Sequence, residues 1–178
     1  MQRNTILPVI LALLSAGTFA TAAQADPTGL RATAIGGLER TDSASGSGAS
    51  DGFYYGGQLG YDYDLGGLIA GVEAELGGSS ARDTVAGVEA RHGVFGNAAV
   101  RLAVPVTDGA RVFARGGYAY HRIDYATGTD FAGSGYVLGG GGEVDLGSRL
   151  LLRGEYRFSD YGSQVRGQHF VVGLGLRF

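Results

Sequence analysis

From residue 29 onward the chain alternates apolar with polar or small residues at a period of two, and no stretch sustains a 3.6-residue period. The last eleven residues show this most clearly. Phe170, Val172, Leu174, Leu176 and Phe178 fall on one face, and His169, Val171, Gly173, Gly175 and Arg177 fall on the other. Leu150, Leu152, Gly154, Tyr156 and Phe158 likewise oppose Leu151, Arg153, Glu155, Arg157 and Ser159. Leu68, Ala70, Val72, Ala74 and Leu76 oppose Ile69, Gly71, Glu73 and Glu75. Such alternation predicts eight strands, over 29–40, 53–64, 68–77, 92–104, 111–123, 135–145, 150–159 and 168–178. They are longer than the usual strand of about five or six residues. They match instead the roughly 9–11 residues that a tilted strand needs to cross a bilayer.

The connections alternate in kind. Short turns are expected at Leu65-Gly66-Gly67, at Val106 to Ala110 and at Leu146 to Arg149, and longer polar segments at 41–52, 78–91, 124–134 and 160–167. Alternating short and long connections mark an up-and-down barrel with tight periplasmic turns and longer outer loops. One strand face carries Leu, Val, Ala, Gly and aromatics. The other carries Arg31, Glu39, Asp62, Glu73, Glu75, Arg101, Arg115, Glu143, Asp145, Arg153, Glu155, Arg157 and Arg177. A soluble eight-stranded carrier needs the reverse, an apolar lumen and a polar exterior. An outward Arg at the bilayer midplane would cost about 2–4 kcal/mol, so the charged face turns inward. The fold expected is therefore all-β, an eight-stranded antiparallel up-and-down transmembrane β-barrel in the cell outer membrane. With both termini periplasmic, Tyr55, Tyr118, Tyr120, Tyr136, Tyr156, Phe158 and Phe170 gather near the outer rim, and Tyr61, Tyr63 and Phe178 near the inner one. Two aromatic girdles are what the headgroup levels favour.

The first 25 residues break this pattern. Arg3, the apolar run Ile6 to Leu14 and the small-x-small triplet Ala23-Gln24-Ala25 predict an export signal cut after Ala25, leaving a barrel over 26–178. The apolar run is too short for a spanning helix. No periplasmic domain is expected after the last strand.

Composition sharpens the lumen. The 178 residues include 34 Gly, no Cys and no Trp, and all 14 basic residues are Arg. Gly inside strands permits tight curvature and leaves room on a crowded inner face. The net charge of −3 offers no basic field for nucleic acid. Without Cys there is no thiolate ligand or Cys nucleophile, and the dispersed His92, His121 and His169 lack metal-ligand spacing. No cofactor or metal is expected. Gly139 to Gly142 is not followed by a phosphate-loop GK[ST] and lies mid-strand. Eight strands enclose room for side chains only, and buried charges persist when paired. A network is expected to fill the lumen, including Arg101, Arg115, Arg153 and Arg157 with Glu73, Glu75, Glu143 and Glu155. Arg suits this role through its bidentate fork. The alternative is that the same charges line a narrow ion path. A third reading is a lipid-modifying enzyme at the outer rim, using His121 or His169 with Ser159, Ser163 and Glu155. No ordered motif such as G-x-S-x-G supports it, so no catalytic residue is assigned.

The segment Leu152-Arg153-Gly154-Glu155-Tyr156-Arg157-Phe158-Ser159-Asp160-Tyr161-Gly162 resembles the R-x-E-Y-R-Y-x-D-Y-G signature of the outer-membrane beta-barrel domain family. That family includes opacity-type and outer-membrane immunogenic, porin-like surface proteins of Gram-negative bacteria. Gly139-Gly140-Gly141-Gly142-Glu143-Val144 resembles the G-x-G-x-E strand before the signature, and Phe113 to Ala119 the aromatic-x-x-G-G-x-A strand. Phe178, with Leu176, Leu174, Val172 and Phe170 on its face, resembles the terminal signal read by the barrel assembly machinery. Phe158 replaces the usual Tyr, and Asn97 to Leu102 departs from the family's S-x-R-x-R-x-G. The resemblance implies an integral outer-membrane barrel with a structural, surface-interaction or weak permeability role, and carries over no catalytic site. The partners expected are outer-membrane lipid and lipopolysaccharide, with the assembly machinery during biogenesis. Surface partners stay open.

Overall fold

The structure is a computed structural model that describes residues 28–43, 49–80, 82–85, 88–125, 130–161 and 165–178. Period-two alternation becomes strand throughout these segments. The strands are β1 (Gly29–Ser43), β2 (Ala49–Asp64), β3 (Ile69–Ser79), β4 (Arg82–Val85), β5 (Val88–Thr107), β6 (Ala110–Tyr125), β7 (Asp130–Asp145), β8 (Leu150–Asp160) and β9 (Val165–Arg177). Eight of them form the wall. Each pairs antiparallel with the next, except that β3 passes over β4 to pair with β5. β1 pairs with β9 from Arg31↔Arg177 to Ser43↔Val165, so the eight-stranded wall closes on itself, as backbone groups in hydrocarbon require.

Two expectations need correction. The polar segment 78–91 was expected to be loop, but it contains β4, which pairs with the outer end of β5 from Arg82↔Arg91 to Val85↔Val88. The strands also run past the expected boundaries at the outer end: β2 begins at Ala49, β5 at Val88 and β7 at Asp130. The outer loops are correspondingly shorter than expected. Above the bilayer neither face needs to be apolar, so alternation stops while backbone pairing continues.

The inner turns follow from local chemistry. The Asp64 carboxylate accepts the Gly66 N–H at 2.8 Å, and Gly66 and Gly67 both take positive φ, +84° and +101°. Asp108-Gly109 makes the two-residue turn between β5 and β6, with Gly109 at φ +89°. An Asp-Gly pair is a strong short hairpin signal, because such turns require φ above zero.

The wall separates two environments. Outward positions such as Leu38, Leu59, Val72, Leu76, Val100 and Leu174 are exposed, and the inward neighbours of each are buried or nearly so. Tyr118 and Tyr136 are register partners in the outer girdle, as are Tyr156 and Phe170. Tyr61, Tyr63 and Phe178 stand exposed near the inner rim. Inside, buried apolar residues form two small clusters: Ile35, Tyr54, Phe95 and Val171 in the outer half, and Ile69, Ala103 and Phe113 in the inner half. Much of the remaining interior is charged, with neutral residues such as Thr33, Gln58, Val137, Leu151 and Ser159 among the charges.

Candidate functional site in the barrel lumen

Alternation alone decides which residues meet in the lumen, because every second side chain of a strand turns the same way. The strands deliver Arg31 from β1, Asp62 from β2, Glu73 and Glu75 from β3, and Arg101 from β5. From the other side come Arg111 and Arg115 on β6, Glu143 and Asp145 on β7, Arg153, Glu155 and Arg157 on β8, and Arg177 on β9. All are buried. The most enclosed of the large side chains, at about 1% exposure, include Arg101, Arg153 and Arg157.

The guanidinium groups reach across the lumen as well as to carboxylates on their own and adjacent strands. Arg101 donates to Asp62 at 2.6 Å and to Glu143 at 2.5 Å, joining β5 to β2 and β7. Arg31 donates to Asp62 at 3.1 Å, to Glu73 at 3.2 Å and to Glu143 at 3.3 Å. Arg153 grips Glu73 with both terminal nitrogens, at 3.0 and 3.2 Å, and Glu155 at 2.8 Å. Arg115 lies 2.7 Å from Glu73 and 3.4 Å from Glu75. Arg157 closes the outer side, donating to Glu155 at 2.7 Å and to Glu75 at 2.6 Å. Arg101 and Arg115 are register partners of like charge, and each reaches a different carboxylate set. The guanidinium carbons of Arg101 and Arg153 lie 4.8 and 4.1 Å from the centroid of the Phe113 ring. A ring within this distance attracts a cation through its quadrupole while contributing apolar surface.

Both ends of the network are capped. At the inner mouth Arg111 and Arg177 share the Asp145 carboxylate. Toward the outer end Tyr54 and Gln58 donate to Glu75, and Arg115 donates to Asn97. Above them Glu39 accepts from Ser79 and from Thr41, and lies 3.3 Å from His169 Nε2.

The structure thus brings together all eight residues named from the sequence: Glu73, Glu75, Arg101, Arg115, Glu143, Arg153, Glu155 and Arg157. It adds Arg111, Tyr54, Gln58, Asn97 and Phe113, which are not among the lumen residues expected from the sequence. Arg111 is the second residue of β6, next to the Asp108-Gly109 turn, where alternation has only one flank to count from. Stepping back by two from Arg115 and Phe113 reaches it. The rim constellation falls partly outside the described residues, and of its described members Ser159 and His169 line one small cavity. Ser159 is buried, but His169 bonds Glu39, and its Nδ1 has no partner among the described residues. The side chains of His92 and His121, Ser163 and the cleavage position Ala25 lie outside the described residues. Among the described residues no group of three or more His, Asp or Glu is placed to hold a metal. Phe178 stands exposed at the inner rim, its N–H donating to the Leu30 carbonyl at 2.9 Å. Leu176, Leu174, Val172 and Phe170 rise above it on the outward face.

Chemically, every carboxylate of the central cluster is held by two or more guanidinium groups, which leaves none free as a base or nucleophile. Removing one partner from such a buried set typically costs about 3–5 kcal/mol, because a charge is stranded without water.

A protein-family model described as "Outer membrane protein beta-barrel domain" matches residues 9–178. The 31 kDa outer-membrane immunogenic protein of Brucella melitensis is 29% identical over 151 residues, covering 71% of this chain and 63% of the relative. The chain thus spans less than two thirds of that relative's length. The 25 kDa outer-membrane immunogenic protein of Brucella ovis is 28% identical over 139 residues, covering 76% of this chain and 69% of that one. Among solved structures, Neisserial surface protein A superimposes with a TM-score of 0.65 at 15% identity, over 85% of this chain and 98% of its own. Ail, the attachment invasion locus protein of Yersinia pestis, gives 0.62 at 14% identity, over 85% and 99%. At such identities the two structures speak for the fold alone.

Proposed function

Because the chain belongs to the outer membrane protein beta-barrel domain family and resides in the cell outer membrane, we propose that it acts as a closed, non-conducting barrel that braces the envelope and carries its outer connections to the cell surface. The observation that carries this reading is the lumen. Side chains from all eight wall strands interlock across it, with Arg31, Arg101, Arg153 and Arg157 and the carboxylates of Glu75, Glu143 and Glu155 at 2% exposure or less. A path for solutes needs a column of water, and here the cross-section is spent on ion pairs. The Brucella relatives are described as immunogenic, which supports a surface-facing role. In this reading the first 25 residues direct export, outer-membrane lipid and lipopolysaccharide surround the wall, and the barrel assembly machinery receives the strand ending at Phe178.

Planar-bilayer recording of the folded protein tests the proposal. The expected trace is a closed baseline without stable steps. Steps of porin size would sink it. The rival reading, a narrow ion path, draws on the lumen being charged along most of its length. It predicts small, salt-dependent conductance that changes when Arg101 or Arg157 is replaced by Gln.

A further inference from the structure

The outward wall is not evenly convex. Two neighbouring rows of outward residues cross β1, β2, β3, β5 and β6 in register. The inner row runs Leu30↔Tyr61, Tyr61↔Val72, Val72↔Val100 and Val100↔Gly116. The next row runs Leu59↔Ala74, Ala74↔Ala98 and Ala98↔Tyr118. Where the rows meet, Ala74, Ala98 and Gly116 present almost no side chain, while Leu30, Leu59, Tyr61, Val72 and Val100 stand out around them, each about half exposed or more. The result is a groove of about 580 Å³ on the outside of the barrel, with almost wholly apolar walls. Leu138 leans toward its far end, so that even a Cβ at Gly116 would meet the Leu138 side chain at 3.2 Å.

The groove starts beside Leu30 and Tyr61 at the inner rim and climbs to Gly116 and Gly117, seven to eight residues above the Asp108-Gly109 turn. It opens between the two aromatic girdles and is continuous with the lipid-facing belt. A shallow slot with an apolar floor, flanked by Leu and Val and running from headgroup level into the hydrocarbon, has the shape of an extended aliphatic chain. We propose that this groove holds one saturated acyl chain of an inner-leaflet glycerophospholipid, with its headgroup beside Tyr61. A chain lying in this shallow groove meets protein along its floor and against the Leu and Val side chains that flank it. On a convex wall it would meet protein on one side only, so packing favours the groove.

The test uses the full folded protein reconstituted with dipalmitoyl phosphatidylethanolamine. Native mass spectrometry follows the lipid retained as detergent is exchanged. Wild type is expected to keep one phospholipid per barrel. Ala98→Phe and Ala74→Leu fill the floor and are expected to weaken retention about tenfold, the effect of denying roughly two methylenes their buried position. Ala34→Phe, outward on β1 but away from the groove, is expected to retain lipid as wild type does. Heat-modifiable migration shows that each variant has folded. A variant that fails this is replaced by Ala98→Leu, which fills less of the floor. Three outcomes overturn the proposal: no lipid retained by wild type, equal loss in Ala34→Phe, or a wild-type dimer that Ala98→Phe converts to monomer. The last would make the groove an interface between copies of the chain.

Discussion

Glu143 shows how much rests on single side chains in this molecule. It receives Arg31 and Arg101 directly, and Arg153 approaches to 3.6 Å. Its replacement by Gln leaves these guanidinium groups facing one another with less negative charge between them. Glu143→Gln is expected to destabilise the barrel by about 3–5 kcal/mol, read as a lower urea midpoint for the loss of the folded gel band. The pair Arg166–Asp160 is a contrast in the same protein: its nitrogen and oxygen lie 3.4 Å apart, but the Arg is 67% exposed. Arg166→Gln is expected to change stability by no more than about 1 kcal/mol. A shift for Arg166→Gln as large as that for Glu143→Gln would mean that burial is not what gives the network its weight. Glycines divide in the same way. A Cβ on inward Gly141 would collide with the Gly154 carbonyl oxygen, whereas one on Gly154 meets nothing within 4 Å. Gly141→Ala is therefore expected to cost about 1–3 kcal/mol in the same assay, and Gly154→Ala to migrate and unfold as wild type.

At the scale of the strand, most of the architecture was legible in the sequence because the two solvents impose the alternation. Lipid outside and charge inside leave opposite marks on successive residues, as in Leu174 against Gly175 and Tyr156 against Arg157. Where one solvent is missing, legibility fails. Arg82–Val85 lies at the outer end, next to the start of β5, where no apolar face is demanded, and its pairing with β5 left no signature. Pairing partners in the lumen were illegible for another reason. Arg31 and Glu143 are 112 positions apart, and their contact follows from barrel closure and strand tilt, neither of which is local. The terminal strand has its own test. β9 closes the wall on β1, and Phe178 binds its end to Leu30. Deleting Phe178 is expected to lower the fraction of protein in the outer membrane several-fold, with the remainder as periplasmic aggregate by cell fractionation. Normal assembly of the truncated chain would remove Phe178 from the insertion signal.

Across the whole molecule, the two bonding systems differ in reach. Ladder hydrogen bonds join each strand to its neighbours, and a barrel held by them alone could fray from any one seam. The lumen bonds cross the barrel instead: β5 to β2 and β7 through Arg101, β1 to β3 and β7 through Arg31, β8 to β3 through Arg153 and Arg157. Opening a seam therefore breaks ion pairs on distant strands. Arg101 and Glu73 isolate this effect, because no bond joins them. Arg101 holds Asp62, Asp62 is held by Arg31, and Arg31 holds Glu73. Independent sites add within about 0.5 kcal/mol, and members of one network couple by about 0.5–3 kcal/mol. Arg101→Gln and Glu73→Gln each unbalance the lumen by one charge, in opposite senses, and the double variant restores the balance. The double variant is expected to lose at least about 1 kcal/mol less than the sum of the singles. Urea unfolding followed by tyrosine fluorescence and by gel migration gives the three values, and the two probes are expected to fall on one curve for wild type. Strict additivity, or probes that separate in wild type, would reduce the lumen to a set of local pairs and leave closure of the β1–β9 seam as the barrel's only long-range constraint.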